Sequence, residues 1–322
     1  MARCICACAA DGHVCGAARR GFTLIELLVS IGILGLLVGL VVPGLSAARR
    51  QSMRVRCLAN LHALVLASGV YATESREDLL IAVHPVANRN PLHDEGFFDY
   101  GGKTGARNVW EGRRLGPLSE RTAETRPLNR ILFAGAEEMG RDGFTVFRCP
   151  ADTGIPSRTH ANNDRFWDPA LGLQPLFDSV GTSYGANAYR ARSRGGEDGL
   201  RRFFSVGLFL RATSRVPFPS QTVFLYEGVM WYNAASRDRE APLRWQGVRG
   251  WHGERSEYNV AFADAHVDRV PTLAGESWRG QQKQFTRLYL RGRGFRFDCL
   301  PSPPIEDPPT TSGEGFQPSR GM

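Results

Sequence analysis

Between Leu27 and Ala48 the chain runs through 22 consecutive residues without a charged side chain. As a helix that stretch covers roughly 33 Å, enough to cross the hydrocarbon core of a bilayer. No second run of this kind follows, so the pattern predicts one membrane helix (residues 22–45) carrying one large domain. Glycines at 32, 35 and 39 recur at three- and four-residue spacing, which either permits close helix contact or reflects the frequency of glycine in membrane helices. Beyond the run, Val55, Leu58, Leu61 and Val65 keep a helical period with polar or small residues between them. One helix is therefore expected from about Phe22 to Tyr71, bent but not ended at Pro43, with an amphipathic second half (46–73) packed on the domain.

The rest is patterned differently. Residues 74–131 are rich in Gly, Asn, Asp and Arg and predict loops and short elements. Short strands are expected at Phe144–Phe147 and Gln221–Glu227, and a hairpin at Tyr258–Ala263 and His266–Val270 around Asp264 and Ala265. A helix followed by antiparallel strands is an α+β arrangement over residues 74–300. Residues 301–322, with six prolines and few apolar residues, predict a disordered tail. The net charge is +8, but the basic residues are scattered, which argues for mild surface charge and against a nucleic-acid partner. Seven cysteines without a C-x-x-C pair exclude a dense disulfide scaffold and paired zinc knuckles.

The ends of the apolar run carry the functional signal. A secretory signal peptide places its small-residue cleavage site after the apolar stretch; here Arg19, Arg20 and Gly21 precede it. Glu26 is the ionisable group in its first turns, and a carboxylate in lipid costs roughly 2.5 to 3.5 kcal/mol unless it is paired. The natural partner is a free amine. The stretch Gly21, Phe22, Thr23, Leu24, Ile25, Glu26, Leu27, Leu28 resembles the N-terminal signature of type IV prepilins and type II secretion pseudopilins. That resemblance implies a leader (residues 1–21) removed by a prepilin peptidase between Gly21 and Phe22, and N-methylation of Phe22. It also implies an ion pair between Glu26 and the Phe22 amine of a neighbouring subunit, since methylation keeps the amine charged. The implied fold is pilin-like, and the implied partners are other pilin or pseudopilin subunits, an inner-membrane assembly platform and membrane lipid. Arg49, Arg50, Arg54 and Arg56 after the run outweigh Arg3, Arg19 and Arg20 before it, so orientation rests on the resemblance: leader inside, large domain periplasmic.

A second resemblance is to a bacterial prepilin-like subfamily of unknown function. Cys57, Asn60 and Leu61 match its C-x-x-N-L segment, Cys149, Pro150 and Asp152 its C-P-x-D, and Ser183, Tyr184, Gly185 and Asn187 its S-Y-G-x-N. Its terminal H-x9-D-G element is matched imperfectly by His252 and Asp264, with eleven residues between them and Ala265 in place of glycine. That alanine sits where a type I′ turn wants a positive φ.

Chemistry is otherwise sparse. His252, Asp264, His266 and Asp268 suit a metal or acid–base role, yet turns and exposed strands carry such residues routinely, and no metal or cofactor is expected. Asp152 and Asn187 invite comparison with pseudopilin calcium sites, but oxygen ligands in loops are common. Ser183 lacks a nucleophile elbow, and no phosphate-binding or zinc-protease motif occurs. Trp231, Trp245 and Trp251 with Tyr226 and Tyr232 fit core or interface packing better than a ligand surface. The leader's Cys4, Cys6, Cys8 and Cys15 match no zinc pattern. Once the leader is removed, Cys57, Cys149 and Cys299 remain in a compartment that permits disulfides. The expected pair is Cys57 with Cys149, leaving Cys299 free; closing that loop would contribute about 4 to 5 kcal/mol in the chain-entropy model. A buried, apolar Cys57 is the competing reading. Two functions follow: a structural or minor filament subunit without catalysis, or a membrane-tethered periplasmic binding module or enzyme.

Overall fold

The computed structural model describes residues 21–76, 78–81, 98–106, 121–133, 143–154, 174–188, 190–192, 203–230, 250–253, 257–271, 291–292, 294–299 and 305–306. The leader, Trp231, Tyr232, Trp245 and most of the expected tail lie outside these residues. The chain divides into two units, residues 1–48 and 49–322.

Helix α1 runs from Leu24 to Glu74 with Pro43 inside it, so the proline leaves the helix unbroken. In the first unit its apolar side chains are all exposed, from Leu24 through Leu45. This is the described helix long and apolar enough to cross a membrane. In the second unit α1 buries a stripe through Cys57, Leu61, Leu64, Val65, Ser68 and Ala72. The stripe is rotated from the expected one. Val55 is exposed and Leu58 only half-buried, while the smaller Cys57 packs in the core with Leu61 and Leu64.

The sheet is antiparallel in the order β1-β4-β5-β6, formed by β1 (Tyr184–Ala186), β4 (Val223–Glu227), β5 (Glu257–Phe262) and β6 (Val267–Pro271). Smaller sheets join β2 (Arg190–Arg192), β3 (Phe203–Ser205) and β9 (Ile305–Glu306), and β7 (Arg291–Gly292) with β8 (Phe295–Arg296). The result is an α+β, pilin-like fold: a long apolar N-terminal helix and a mainly antiparallel β domain.

Each face of the main sheet has its own core. One holds Cys57, Leu61, Leu64, Tyr184, Ala186, Phe224, Leu225 and Ala261; the other holds Val223, Tyr226, Tyr258, Val260, Phe262, Phe295 and Phe297. Strand β5 alternates between them with the period of two that strand geometry requires. Strand β4 does not, because its register with β5 shifts between Val223 and Leu225. That bulge puts Phe224 and Leu225 on the same face, so Tyr226 and Glu227 are reversed relative to an unbroken strand.

Three expectations change in the structure. Residues Gly143–Phe147 form a 3-10 helix rather than a strand, with Phe144 and Phe147 buried at the three-residue spacing of that helix. The hairpin turn is a three-residue loop rather than type I′: Ala265 N–H donates to Phe262 O (3.0 Å) and Phe262 N–H to His266 O (2.9 Å). Ala265 alone takes a left-handed φ of 74° there, as a type I turn followed by a bulge requires. Within the expected tail, Ile305–Glu306 pairs with β3, so strand pairing reaches past residue 300.

Candidate functional site

Gly21 and Phe22 precede the first turn of α1, and Phe22 is exposed. A Cβ built on Gly21 meets nothing within 4 Å. Thr23 and Glu26 form a capping box: Glu26 Oε2 accepts from the Thr23 N–H (2.9 Å) and hydroxyl (2.8 Å), and the Glu26 N–H donates to Thr23 Oγ1 (3.2 Å). The carboxylate therefore has partners within its own helix end, where the macrodipole also favours an anion. The T-x-x-E spacing of Thr23 and Glu26 is the sequence signal for this cap.

The second site lies inside the β domain. Cys57 comes from α1, Cys149 from the segment after the 3-10 helix, Glu227 from the end of β4 and His252 from the turn before β5. One ligand-capable atom from each lies within 4.8 Å of all the others, and all four residues are buried. Glu227 Oε1 is the hub, 2.9 Å from His252 Nε2 and 3.1 Å from Cys57 Sγ, while Cys149 Sγ is 3.5 Å from His252 Nε2. Glu227 reaches this face because of the β4 bulge.

Neighbouring residues hold the four in place. The Tyr184 hydroxyl donates to Cys57 Sγ (3.5 Å), and the Asn259 amide to Glu227 Oε1 (2.9 Å). The Trp251 indole donates to Gly154 O (2.9 Å), tying the His252 turn to the segment that carries Cys149. Burial pushes both thiols up, and nearby Glu227 adds to this. Burial alone would push the His252 imidazole down, but hydrogen bonds to Cys57 and Glu227 and the Glu227 charge outweigh it and raise the group to about 9.

The remaining motif residues serve the scaffold. The Asp152 carboxylate accepts from Gly154 N–H (2.8 Å), Leu176 N–H and Phe177 N–H (both 2.9 Å) and the Ser183 hydroxyl (2.6 Å). It thereby caps the short helix Leu176–Val180. The Asn60 amide donates to Thr145 O and Arg148 O, joining α1 to the 3-10 segment. The Asn187 amide donates to Val223 O and Phe297 O, partners different from those of the Asp152 carboxylate. Gly185 is needed because a Cβ would sit 2.6 Å from the Tyr226 ring. Asp264 is exposed and accepts the His266 N–H at 3.2 Å, with His266 Nδ1 2.6 Å from the same oxygen. His252 and Asp264, one element in the sequence reading, thus have different neighbours. Trp251 packs partly buried on the core.

Cys57 and Cys149, the pair expected from the sequence, lie in one buried cluster, and they and Cys299 are free thiols in this structure. Sequence reasoning paired Cys57 with Cys149, put His252 in a different element, and gave Glu227, the end of an expected strand, no role at the site. Its position at the end of a strand of apolar residues was the one available signal, since a carboxylate there needs a partner.

Residues 16–42 match the family model for the prokaryotic N-terminal methylation motif. The chain is thus type IV pilin-like or pseudopilin-like at its N-terminus, and its apolar helix fits a membrane-anchored pilin. The motif implies processing by a prepilin peptidase and assembly with other pilin subunits. No curated protein and no solved structure matches the chain.

Proposed function

We propose that the protein is a structural or minor subunit of a type IV pilus-like or type II secretion pseudopilus filament. It is cut between Gly21 and Phe22, methylated on Phe22, held in the inner membrane with its large domain in the periplasm, and passed by the assembly platform into the filament through α1. The observation that carries this reading is the methylation motif running directly into a helix whose apolar side chains are exposed from Leu24 to Leu45. Such a surface needs lipid or neighbouring helices to cover it. The free space around Gly21 supports the same reading, because no contact among the described residues demands glycine there; a protease that binds extended backbone would. The buried chemistry of the β domain argues against turnover, since Cys57, Cys149 and Glu227 are fully buried and His252 nearly so. The test is intact-mass analysis of the membrane-extracted protein from a host with an active prepilin peptidase. Loss of residues 1–21 with one added methyl is expected; an unprocessed chain overturns the proposal.

A further inference from the structure

We propose that Cys57, Cys149, Glu227 and His252 are the ligands of a structural zinc(II) site that fastens the second half of α1 to the sheet. Four residues distant in sequence bring two sulfurs, a nitrogen and an oxygen to one point. Thiolate and imidazole donors select a borderline cation such as zinc and disfavour calcium or magnesium, which prefer oxygen.

The spacing suits a tetrahedral ion. Bonds of about 2.0 to 2.3 Å imply edges of about 3.3 to 3.8 Å between ligands. The measured separations of 2.9, 3.1 and 3.5 Å, with every pair inside 4.8 Å, bracket that range. Binding requires that the two thiols and the protonated His252 imidazole release their protons to solvent, and that the ligand atoms shift by about an ångström or less. None of the four is more than 6% exposed, so no open position remains for substrate, as in structural rather than catalytic zinc sites.

Two further observations point to a cation. Glu227 is fully buried, yet its Oε2 has no hydrogen-bond partner, leaving a carboxylate lone pair available to a metal. Tyr184 and Asn259 donate to ligand atoms of Cys57 and Glu227, as groups around a metal site do when they orient its ligands. A Cys57–Cys149 disulfide would use neither Glu227 nor His252, and would leave both buried beside it.

The experiment uses the full chain, extracted in detergent under reducing conditions, and does not depend on filament assembly. Metal analysis is expected to find about one zinc per chain. Replacement by cobalt(II) should produce thiolate charge-transfer bands and the visible spectrum of a tetrahedral ion. Cys149→Ala, Glu227→Gln and His252→Ala should each weaken zinc binding more than about 100-fold, and Tyr184→Phe about 10-fold. Cys149→His, which restores a ligand, should retain zinc and so separates ligation from a simple folding defect. Cys299→Ser, outside the cluster, should keep full stoichiometry. A wild-type chain that takes up no zinc when reduced overturns the proposal. So does a chain isolated from cells with Cys57 and Cys149 oxidised and zinc-free, or one whose cobalt spectrum is unchanged in Glu227→Gln.

Discussion

The two halves of α1 are the most instructive contrast in this molecule. The first is apolar all round and exposed all round, whereas the second is apolar along one stripe and buries that stripe in the β domain. A helix hydrophobic on every side needs an apolar medium, and one hydrophobic along a stripe needs a single partner surface. The first half is therefore built for lipid and neighbouring helices, the second for its own domain. Substitutions in the first half should act on processing and assembly, and those in the second on folding.

The largest expected effects are at the start of the first half. Gly21→Leu should abolish processing and leave the leader attached, read by intact mass. Glu26→Val and Glu26→Gln should both be cut normally, but both should assemble poorly if the carboxylate charge is what a neighbour's Phe22 amine requires. The pair is informative because glutamine can maintain the capping box with Thr23 whereas valine cannot. Filament yield restored by Glu26→Gln would shift the role of Glu26 from ion pairing to helix capping.

The sharpest test of the contrast itself compares Leu64→Ala with Leu36→Ala. Leu64 is fully buried, so its truncation should cost about 3 to 5 kcal/mol, measured by denaturant unfolding of the β domain in the full chain. Leu36 is exposed and should leave that transition unchanged. Equal effects would erase the distinction between the halves. Asp152→Ala should follow at about 3 kcal/mol, because it strands two helix-end N–H groups and the Ser183 hydroxyl in a buried setting. Ala265→Gly should have the smallest effect, a gain of about 1 kcal/mol, because glycine tolerates the φ of 74° that strains alanine. A loss of stability there would mean that the Ala265 side chain, which packs against the core, contributes more than the backbone strain costs.

Legibility in the sequence followed the range of the interactions involved. The membrane helix, its continuation past Pro43 and the strands of the β5–β6 hairpin depend on neighbours a few residues apart, and periodicity reports those directly. The strands β1, β2 and β3 are three residues each, too short for any period to register. Phe144 and Phe147 could serve a strand or a 3-10 turn until the core they enter is known.

What the sequence by itself determined is the kind of protein: one uncharged 22-residue run, a glycine before it and a glutamate inside it are contiguous features, and their physics needs no tertiary partner to be read. What only the tertiary structure decided is the meeting of Cys57, Cys149, Glu227 and His252. Their approach depends on the helix stripe passing through Cys57 rather than Leu58, and on a bulge in β4 that reverses the face of Glu227. A one-residue irregularity of that kind carries no signature in composition or period, because it is set by how two strands pair and not by either strand alone.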